Sequence, residues 1–493
     1  MMLSNNVLDF YSFLNEAKTE NIKVVVLTGN VTGSKTSDSF AKECKKRGIK
    51  CYIVDVNLVT VEKVYNGHLL KTGKEKILID PNSTAIVPRR GVLENSYTKQ
   101  ILLTLEEARY FTVNTIASME ACENKFTTSQ IMEANGLPVP KSALVPDENS
   151  LDKALEAIGG KFPVIMKLLS GTQGIGVSII DSYASLKSVY QTIRKLDESN
   201  EILIQEKIDS NYDLRIQVIV KKFNPDPRIV EKNNSFILGT MKRGAVKKDF
   251  RTNYSLGGTV NKFKITKELS DIAIKAANAV GCHWCGVDVM IDSKTKKPYI
   301  LEVNSSPGTE GISKAIGKPI VDDVLDYIVN KNNWTYSNME IGYLETLNIP
   351  KIGDIIAKFD TGNGSKSCTI HADKVEEKNG KLYWSVGGKR FVNPIVGHSE
   401  PEIGTEKTRR PIIEMDILFN GVLVPNVMVS PDNRTDKSTP FLVNREFMRM
   451  VGSSVNPNKA FVVTKNTEDK FSLKNAKGNP YAGIKFKNEN KYE

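Results

Sequence analysis

The sequence predicts an α/β unit at the N-terminal end, an α+β core, and a small all-β barrel at the C-terminal end. Three observations carry this. An apolar run from Ile22 to Leu27, a polar and basic segment from Ser37 to Gly48, and a second apolar run from Cys51 to Val56 read as strand–helix–strand. From Phe162 to about Tyr327, strand-like and helix-like segments alternate. After Glu340 the texture changes to short strands separated by Gly, Pro and Asn turns, as in a small barrel.

Taken in order, the elements give boundaries at 1–115 for the first unit and 116–330 for the core. Gly48 stops the first helix, and Gly136 stops a second with helical spacing that starts at Lys125. Pro138 and Pro140 then mark an extended connector. Asn330-Lys331-Asn332-Asn333 is polar and turn-rich, which makes 331–340 an expected linker. The barrel is expected over 341–475, with 476–493 a Lys/Asn/Gly-rich tail.

Composition narrows the function classes. The chain has 493 residues, 25% of them charged and 40% hydrophobic, as expected of a globular protein with several cores. No apolar run approaches the roughly 20 residues of a membrane span. Met1-Met2-Leu3-Ser4 does not open a secretory signal, so a cytoplasmic protein without a membrane partner is expected. Six cysteines in so long a chain do not make a disulfide framework. The net charge of +11 favours anionic ligands. The lysines are scattered, however, and no DNA- or RNA-binding signature appears.

The chemistry concentrates in Tyr299-Ile300-Leu301-Glu302-Val303-Asn304, followed by the turn Ser305-Ser306-Pro307-Gly308. On a strand, Glu302 and Asn304 point to one face, and hard oxygen donors side by side suit Mg²⁺ (or Mn²⁺). Gly286-Val287-Asp288-Val289 offers a carboxylate on a neighbouring strand. Upstream, a strand ends in Lys167 and runs into Ser170-Gly171-Thr172-Gln173-Gly174-Ile175-Gly176, an arrangement that cradles phosphate. Ile202 to Ile208 is an apolar strand turning polar, as in an adenine-reading hinge. Arg215, Arg243 and Arg251 add guanidinium forks for phosphate or carboxylate. Gly29 to Thr36 does not match the P-loop pattern. Cys282-His283-Trp284-Cys285 has no second Cys pair nearby and reads as core packing.

This ordered set closely resembles the ATP-grasp fold and, within it, the RimK-type carboxylate–amine ligases. The cues are Val-Ile-Met-Lys ending at Lys167, Gln205-Glu206-Lys207-Ile208, Asp213-Leu214-Arg215, Asp249-Phe250-Arg251-Thr252-Asn253, Gly286-Val287-Asp288 and Leu301-Glu302-Val303-Asn304. The likeness extends back to Arg89-Arg90-Gly91 and Asn114. The resemblance implies ATP and Mg²⁺ (or Mn²⁺) as cofactors. Lys125 and Lys167 would bind the nucleotide, with the phosphates on Lys167. Gln205, Glu206, Lys207 and Ile208 would line the adenine site, and Asp213 would meet the ribose. Asp288, Glu302 and Asn304 would hold metal. Arg251, the catalytic candidate, and Asn253 would grip the γ-phosphate and the acyl phosphate. Arg215 and Arg243 would hold the acceptor carboxylate. Amino acids or peptides, including a protein C-terminus, are the implied substrates.

In the last unit, Lys358-Phe359-Asp360-Thr361-Gly362 is a short strand followed by Asp-Thr-Gly. Arg409 to Ile413, Gly421 to Val427 and Phe441 to Met448 follow in order. This resembles the retropepsin-like domain of the so-called ATP-dependent zinc protease family. The resemblance makes Asp360 a second catalytic candidate, which needs a partner Asp360 from a homodimer. Two departures stand out: Asn363-Gly364 follows Asp-Thr-Gly where Ala is usual, and Asn444 occupies a Gly place before Arg445. The four histidines form no zinc-binding pattern. The resemblances together imply a ligase that adds an amino acid such as glutamate, joined to a domain that cleaves a related bond. The alternative is an aspartic peptidase carrying a regulatory nucleotide-binding module.

Overall fold

The computed structural model describes residues 22–465, apart from 30, 65–66, 170–175, 245–258, 337–338, 401, 404–405, 408 and 436. Arg251, Asn253, most of the glycine-rich loop and the C-terminal tail lie outside the described residues. The N-terminal unit begins with β1 (Lys23–Thr28), α1 (Lys35–Lys46) and β2 (Lys50–Asp55), each within two residues of the expected span. Ser34 caps α1 by accepting from the Ser37 amide, and Gly48 leaves the helix in the left-handed region. A three-stranded meander follows: β3 (Thr60–Val64), β4 (Gly67–Thr72) and β5 (Glu75–Ile79). Then come β6 (Thr84–Pro88), α2 (Ser96–Glu107) and β7 (Phe111–Thr112).

The parallel sheet β2-β1-β6-β7 explains why Val24-Val25-Val26-Leu27 lacks polar alternation. Both faces are covered. Val25 and Leu27 pack in one cluster with Leu102 and Leu105 of α2, while Val24 and Val26 share another with Phe40 of α1 and Trp284 of the core.

The core starts with α3 (Ile116–Glu123) and α4 (Lys125–Ala134). Its smaller sheet contains β8 (Ser142–Val145), β9 (Val164–Leu168), β10 (Val177–Ile180) and β11 (Ile202–Glu206), in the order β10-β9-β11-β8. Helices α5 (Leu151–Ala157) and α6 (Tyr183–Leu196) cover it. The larger antiparallel sheet, β14-β13-β12-β15-β16, uses β12 (Tyr212–Val220), β13 (Ser235–Gly244), β14 (Thr259–Lys262), β15 (Trp284–Ile291) and β16 (Pro298–Asn304). Helix α7 (Lys267–Ala279) packs its Leu269, Ala273 and Ala277 against that sheet. Helices α8 (Glu310–Ile316) and α9 (Ile320–Val329) close the core, and Arg47 of α1 reaches Asp322 and Asp326 on α9.

The segment expected as a linker is sewn down at its start. Trp334 is buried, stacks on Phe111 with ring centroids 5.2 Å apart, and donates Nε1–H to Ile328 O. Its large apolar area outweighs the polar Asn330–Asn333 run that suggested a free connector. The four residues Cys282, His283, Trp284 and Cys285 are all buried, as core packing requires.

The last unit begins with β17 (Met339–Gly342), β18 (Leu344–Ile349) and β19 (Gly353–Phe359). Next come β20 (Cys368–His371), β21 (Lys374–Lys378), β22 (Lys381–Val386), β23 (Lys389–Pro394) and β24 (Gly397–Ser399). The short pair β25 (Glu402–Ile403) and β26 (Glu406–Lys407) precedes β27 (Arg410–Phe419) and β28 (Val422–Asp432). Seven strands run in the order β18-β19-β29-β20-β28-β27-β24, where β29 is Phe441–Val443. Asn348 of β18 also pairs with Leu418 of β27, which curls the sheet back on itself. The unit is not purely β: Asn444 caps α10 (Arg445–Met450), which precedes β30 (Ser453–Asn456), and the helix buries Phe447 beside Phe359 and Phe419.

Candidate active site

The large sheet brings the predicted charges into register. Arg215 on β12 lies opposite Asp288 on β15, and Asp288 lies opposite Glu302 on β16. Asp213 of β12 faces Arg243 of β13. Arg215 donates Nε–H and Nη2–H to the two oxygens of Asp288 at 2.7 and 2.6 Å. Arg243 forms the same bidentate pair with Asp213, at 2.6 and 2.7 Å, and also reaches Asp288 Oδ2 at 2.7 Å. Asp213, Arg243 and Asp288 are each no more than 3% exposed. Burial alone would raise the pKa of Asp288, but Arg215 and Arg243 hold it below the ordinary carboxylate range. Burial likewise opposes charge on Arg243, while Asp288 and Asp213 keep it firmly protonated.

Three residues expected to meet ligands are paired within the sheet here. Asp213, expected to meet ribose, is spent on Arg243. Arg243, expected to grip an acceptor carboxylate, is buried with Nε and Nη2 engaged by Asp213 and Asp288. Arg215 also serves first as a clamp on Asp288, although it lies 3.7 Å from the half-exposed Glu302 and so borders the open side. The physical reason is common to all three. A buried unpaired charge is far costlier than a paired one, so cross-strand neighbours of opposite sign satisfy each other.

Glu302 and Asn304 do share a face, with Asn304 Nδ2 donating to Glu302 Oε1 at 3.1 Å. A bulge after Asp288 shifts the register of β15 against β16. Among the described residues no group of three or more His, Cys, Asp and Glu converges as a metal site. Two carboxylates and one amide are the hard oxygen donors present, and that chemistry suits Mg²⁺ or Mn²⁺ with water and phosphate completing the shell.

Across the cleft, the small sheet supplies cations. Lys167 on β9 donates Nζ–H to Gln205 Oε1 of β11 at 2.6 Å, and Gln205 in turn donates to Ser142 Oγ at 2.7 Å. Burial pulls the Lys167 pKa down to about 8, with Glu302 opposing the shift. Lys125, the first residue of α4, donates to Leu169 O at the entry to the glycine-rich loop. Burial lowers its pKa too, again against Glu302. Both lysines therefore feel the same carboxylate. Glu206 ends β11 with its carboxylate accepting from the Lys141 amide, so Lys207, exposed, and Ile208 begin the connector.

Four side chains pin the turn that follows Asn304. Asn114 donates to Ser305 O at 2.7 Å, Arg89 to Pro307 O at 2.6 Å, and Gln217 to Gly308 O at 2.8 Å. Thr36 Oγ1 accepts from the Thr309 amide at 3.3 Å. Arg89 also lies over the Trp284 ring, 4.8 Å from its centroid, and burial takes its pKa to about 9. The sequence assigned no role to Gln217 and read Thr36 only as the end of a segment that fails the P-loop pattern. The signal for Gln217 was an amide in the apolar half of β12, between Ile216 and Val218-Ile219-Val220.

The RimK-like ATP-grasp domain family matches residues 122–328. A probable alpha-L-glutamate ligase from Picosynechococcus sp. is 32% identical over 249 residues, covering 50% of this chain and 76% of the relative. The chain belongs to the RimK-like ATP-grasp family. A second relative, a probable alpha-L-glutamate ligase from Vibrio atlanticus, is 29% identical and covers 57% of this chain and 87% of its own length. Among solved structures, the ATP-grasp ligase PsnB complexed with minimal precursor covers 62% of this chain and 98% of its own, with a TM-score of 0.47 and 18% identity. Residues 122–328 of this RimK-like chain are its ATP-grasp domain.

Asp360 stands apart, just past β19. Its Oδ1 accepts from the Gly362 amide at 3.0 Å. The neighbouring parallel strand β29 is followed directly by Asn444, whose Nδ2 donates to Ser365 O at 3.0 Å.

Proposed function

We propose that the chain is an ATP-dependent carboxylate–amine ligase that adds glutamate or a similar amino acid to a peptide or protein C-terminus. The observation that carries this reading is the convergence of Lys125 and Lys167 from one side, and Asp288, Glu302 and Asn304 from the other, on a single cleft. The names of the relatives support glutamate as the amine donor.

In the proposed reaction, an oxygen of the acceptor carboxylate attacks the γ-phosphorus of ATP, and the bond to the β–γ bridging oxygen breaks to release ADP. The amine nitrogen then attacks the acyl carbon. Inorganic phosphate leaves, and the nitrogen loses a proton as the amide forms. Lys167 and Lys125 neutralise the nucleotide phosphates, and residues 206–208 border the adenine. Arg251 and Asn253 hold the transferring phosphoryl group. Asp288, Glu302 and Asn304 would hold Mg²⁺ (or Mn²⁺), which supplies charge neutralisation at that group. Arg215 acts through Asp288, fixing the orientation of its carboxylate. The protein's contribution is alignment and electrostatics, with no covalent nucleophile. Purified protein given ATP, Mg²⁺, glutamate and an acceptor peptide should release ADP only when both substrates are present. ADP release indifferent to either substrate refutes the reading.

For the C-terminal unit, the proposed activity is cleavage of a related amide bond by a pair of Asp360 residues across a homodimer. It is favoured by Asp360 following β19 in an Asp-Thr-Gly loop tied to the neighbouring strand end. Loss of amide cleavage in Asp360→Asn tests it, and unchanged cleavage removes it. The proposed dependence on ATP is in keeping with a cytoplasmic setting; among the described residues no helix is long and apolar enough to cross a membrane.

A further inference from the structure

The C-terminal unit contains a polar cavity of about 300 Å³ that the ligase reading does not use. Lys358 and Asp360 line it from the end of β19, Arg410 from the start of β27, and Asp432 from the end of β28. Arg434 and Lys437 close it from the loop after β28. Four cationic side chains therefore meet two carboxylates. Arg410 and Asp432 pair at 2.9 Å. Arg434 is 7% exposed and fixed at both ends of its residue: its Nε donates to Thr439 O, and its amide donates to His371 Nδ1.

We propose that this cavity binds a carboxylate-rich peptide segment. The cations take the carboxylates, and Asp360 accepts from a peptide N–H. Guanidinium forks match carboxylates in geometry and charge, and an excess of positive charge in a recess concentrates anions. A bare phosphate would meet repulsion from Asp360 and Asp432 in the same space. A ligand that presents both carboxylates and N–H groups satisfies both signs. The volume sits at the lower end for small-ligand sites, enough for one or two residues at a time. The choice of an acidic peptide rests on the ligase reading, in which the product gains acidic residues. The binding itself can be measured apart from it.

The test uses the full chain without ATP, and fluorescence anisotropy of labelled oligo-glutamate and oligo-glutamine of equal length. Oligo-glutamate should bind and oligo-glutamine should not. Lys437→Gln, at an exposed position, and Arg410→Gln should each weaken binding roughly tenfold, the scale of one charge-assisted contact. Equal binding of the two peptides, or no binding of either, overturns the proposal. Oligo-glutamate binding unaltered in both variants also overturns it, because the peptide then sits elsewhere, as in the ligase cleft. Displacement by inorganic phosphate at equal concentration would show an anion site without peptide selectivity, and so would count against it. ADP release by a second aliquot of the same preparation, given ATP, Mg²⁺, glutamate and an acceptor peptide, separates the two readings. Release without peptide binding sinks this proposal alone, and binding without release sinks the ligase reading alone.

Discussion

In the core sheet, Arg243, Asp213, Arg215, Asp288 and Glu302 stand on four neighbouring strands, and the guanidinium groups are locked bidentately onto two buried carboxylates. In the C-terminal cavity, Lys358, Arg410, Arg434 and Lys437 surround two carboxylates, and Arg410 and Asp432 remain partly exposed. The first arrangement satisfies most of its charge internally and leaves Glu302 and Asn304 facing outward with little freedom. It is a platform whose geometry exists before a ligand arrives. The second keeps an excess of one sign near solvent, which gives attraction without the same rigidity.

The sharpest way to break that contrast is to remove a carboxylate from each region. Asp288→Ala leaves Arg215 and Arg243 beside a void in a buried sheet, so unfolding free energy should fall by about 3–5 kcal/mol and ADP release should vanish. Asp432→Ala removes the partner of a partly exposed Arg410 and should cost no more than about 1 kcal/mol. Chemical denaturation of both variants checks this. Equal losses would mean the core ladder is no more committed than the cavity.

The C-terminal unit does own one internally satisfied charge, which sharpens the comparison. Glu345 is fully buried and accepts from the amides of Gly342, Val462 and Thr464 at 2.7, 2.8 and 3.1 Å. Burial raises its pKa, against those hydrogen bonds. With a folded pKa above the unfolded one, the folded state binds the extra proton. Stability contributed here is therefore full at low pH and declines as pH rises through the folded pKa. Glu345→Ala should cost about 2–3 kcal/mol by stranding several amides, and should release residues 462–464 to hydrogen exchange. Unchanged protection there would show that other contacts hold this segment.

What the sequence disclosed follows the same division. Strands and helices at 23–55, Lys167 at the end of an apolar strand, and Glu302 with Asn304 on one face were legible because periodicity and strand alternation are local properties. The partners of Asp213 and Arg243 were not, because register across β12 and β13 depends on a bulge and a connection that no local pattern encodes. The same holds for the Ser305–Thr309 turn, whose anchors Thr36, Arg89, Asn114 and Gln217 lie far apart in the chain. Trp334 was hidden by its polar neighbours, although its own burial decides the conformation of the segment.

A smaller effect probes the cation side of the cleft. Lys167 has a pKa near 8 in the free protein, and bound phosphates would raise it. Nucleotide binding should thus take up a proton above about pH 8, and ATP affinity should weaken as pH climbs past that value, by about tenfold over the next unit. Calorimetry in buffers of different ionisation enthalpy reads the uptake directly. Lys167→Met should bind ATP weakly with no proton uptake; retention of the uptake would assign it to another group, Lys125 first.

The least costly change concerns the two departures from the retropepsin-like pattern, which turn out to touch. Asn444 caps α10 through Oδ1, accepting from the Phe447 amide at 2.9 Å, and holds Ser365 O through Nδ2. The Arg445 amide donates to Asn363 O, and its guanidinium lies where a side chain on Gly364 would have to go. Asn363-Gly364 and Asn444-Arg445 are therefore one fitted contact between the Asp360 loop and the end of β29. Asn444 has φ −94°, so its backbone does not call for glycine. Asn444→Gly would restore the usual residue yet lose both of these bonds and the one that Oδ1 accepts from Cys368 Sγ, at a cost of about 1 kcal/mol. The amides of residues 362–365 should then exchange faster while those of β12 and β15 stay unchanged. If the loop amides keep their protection, the two departures are independent, and the Asp360 loop is held by backbone alone.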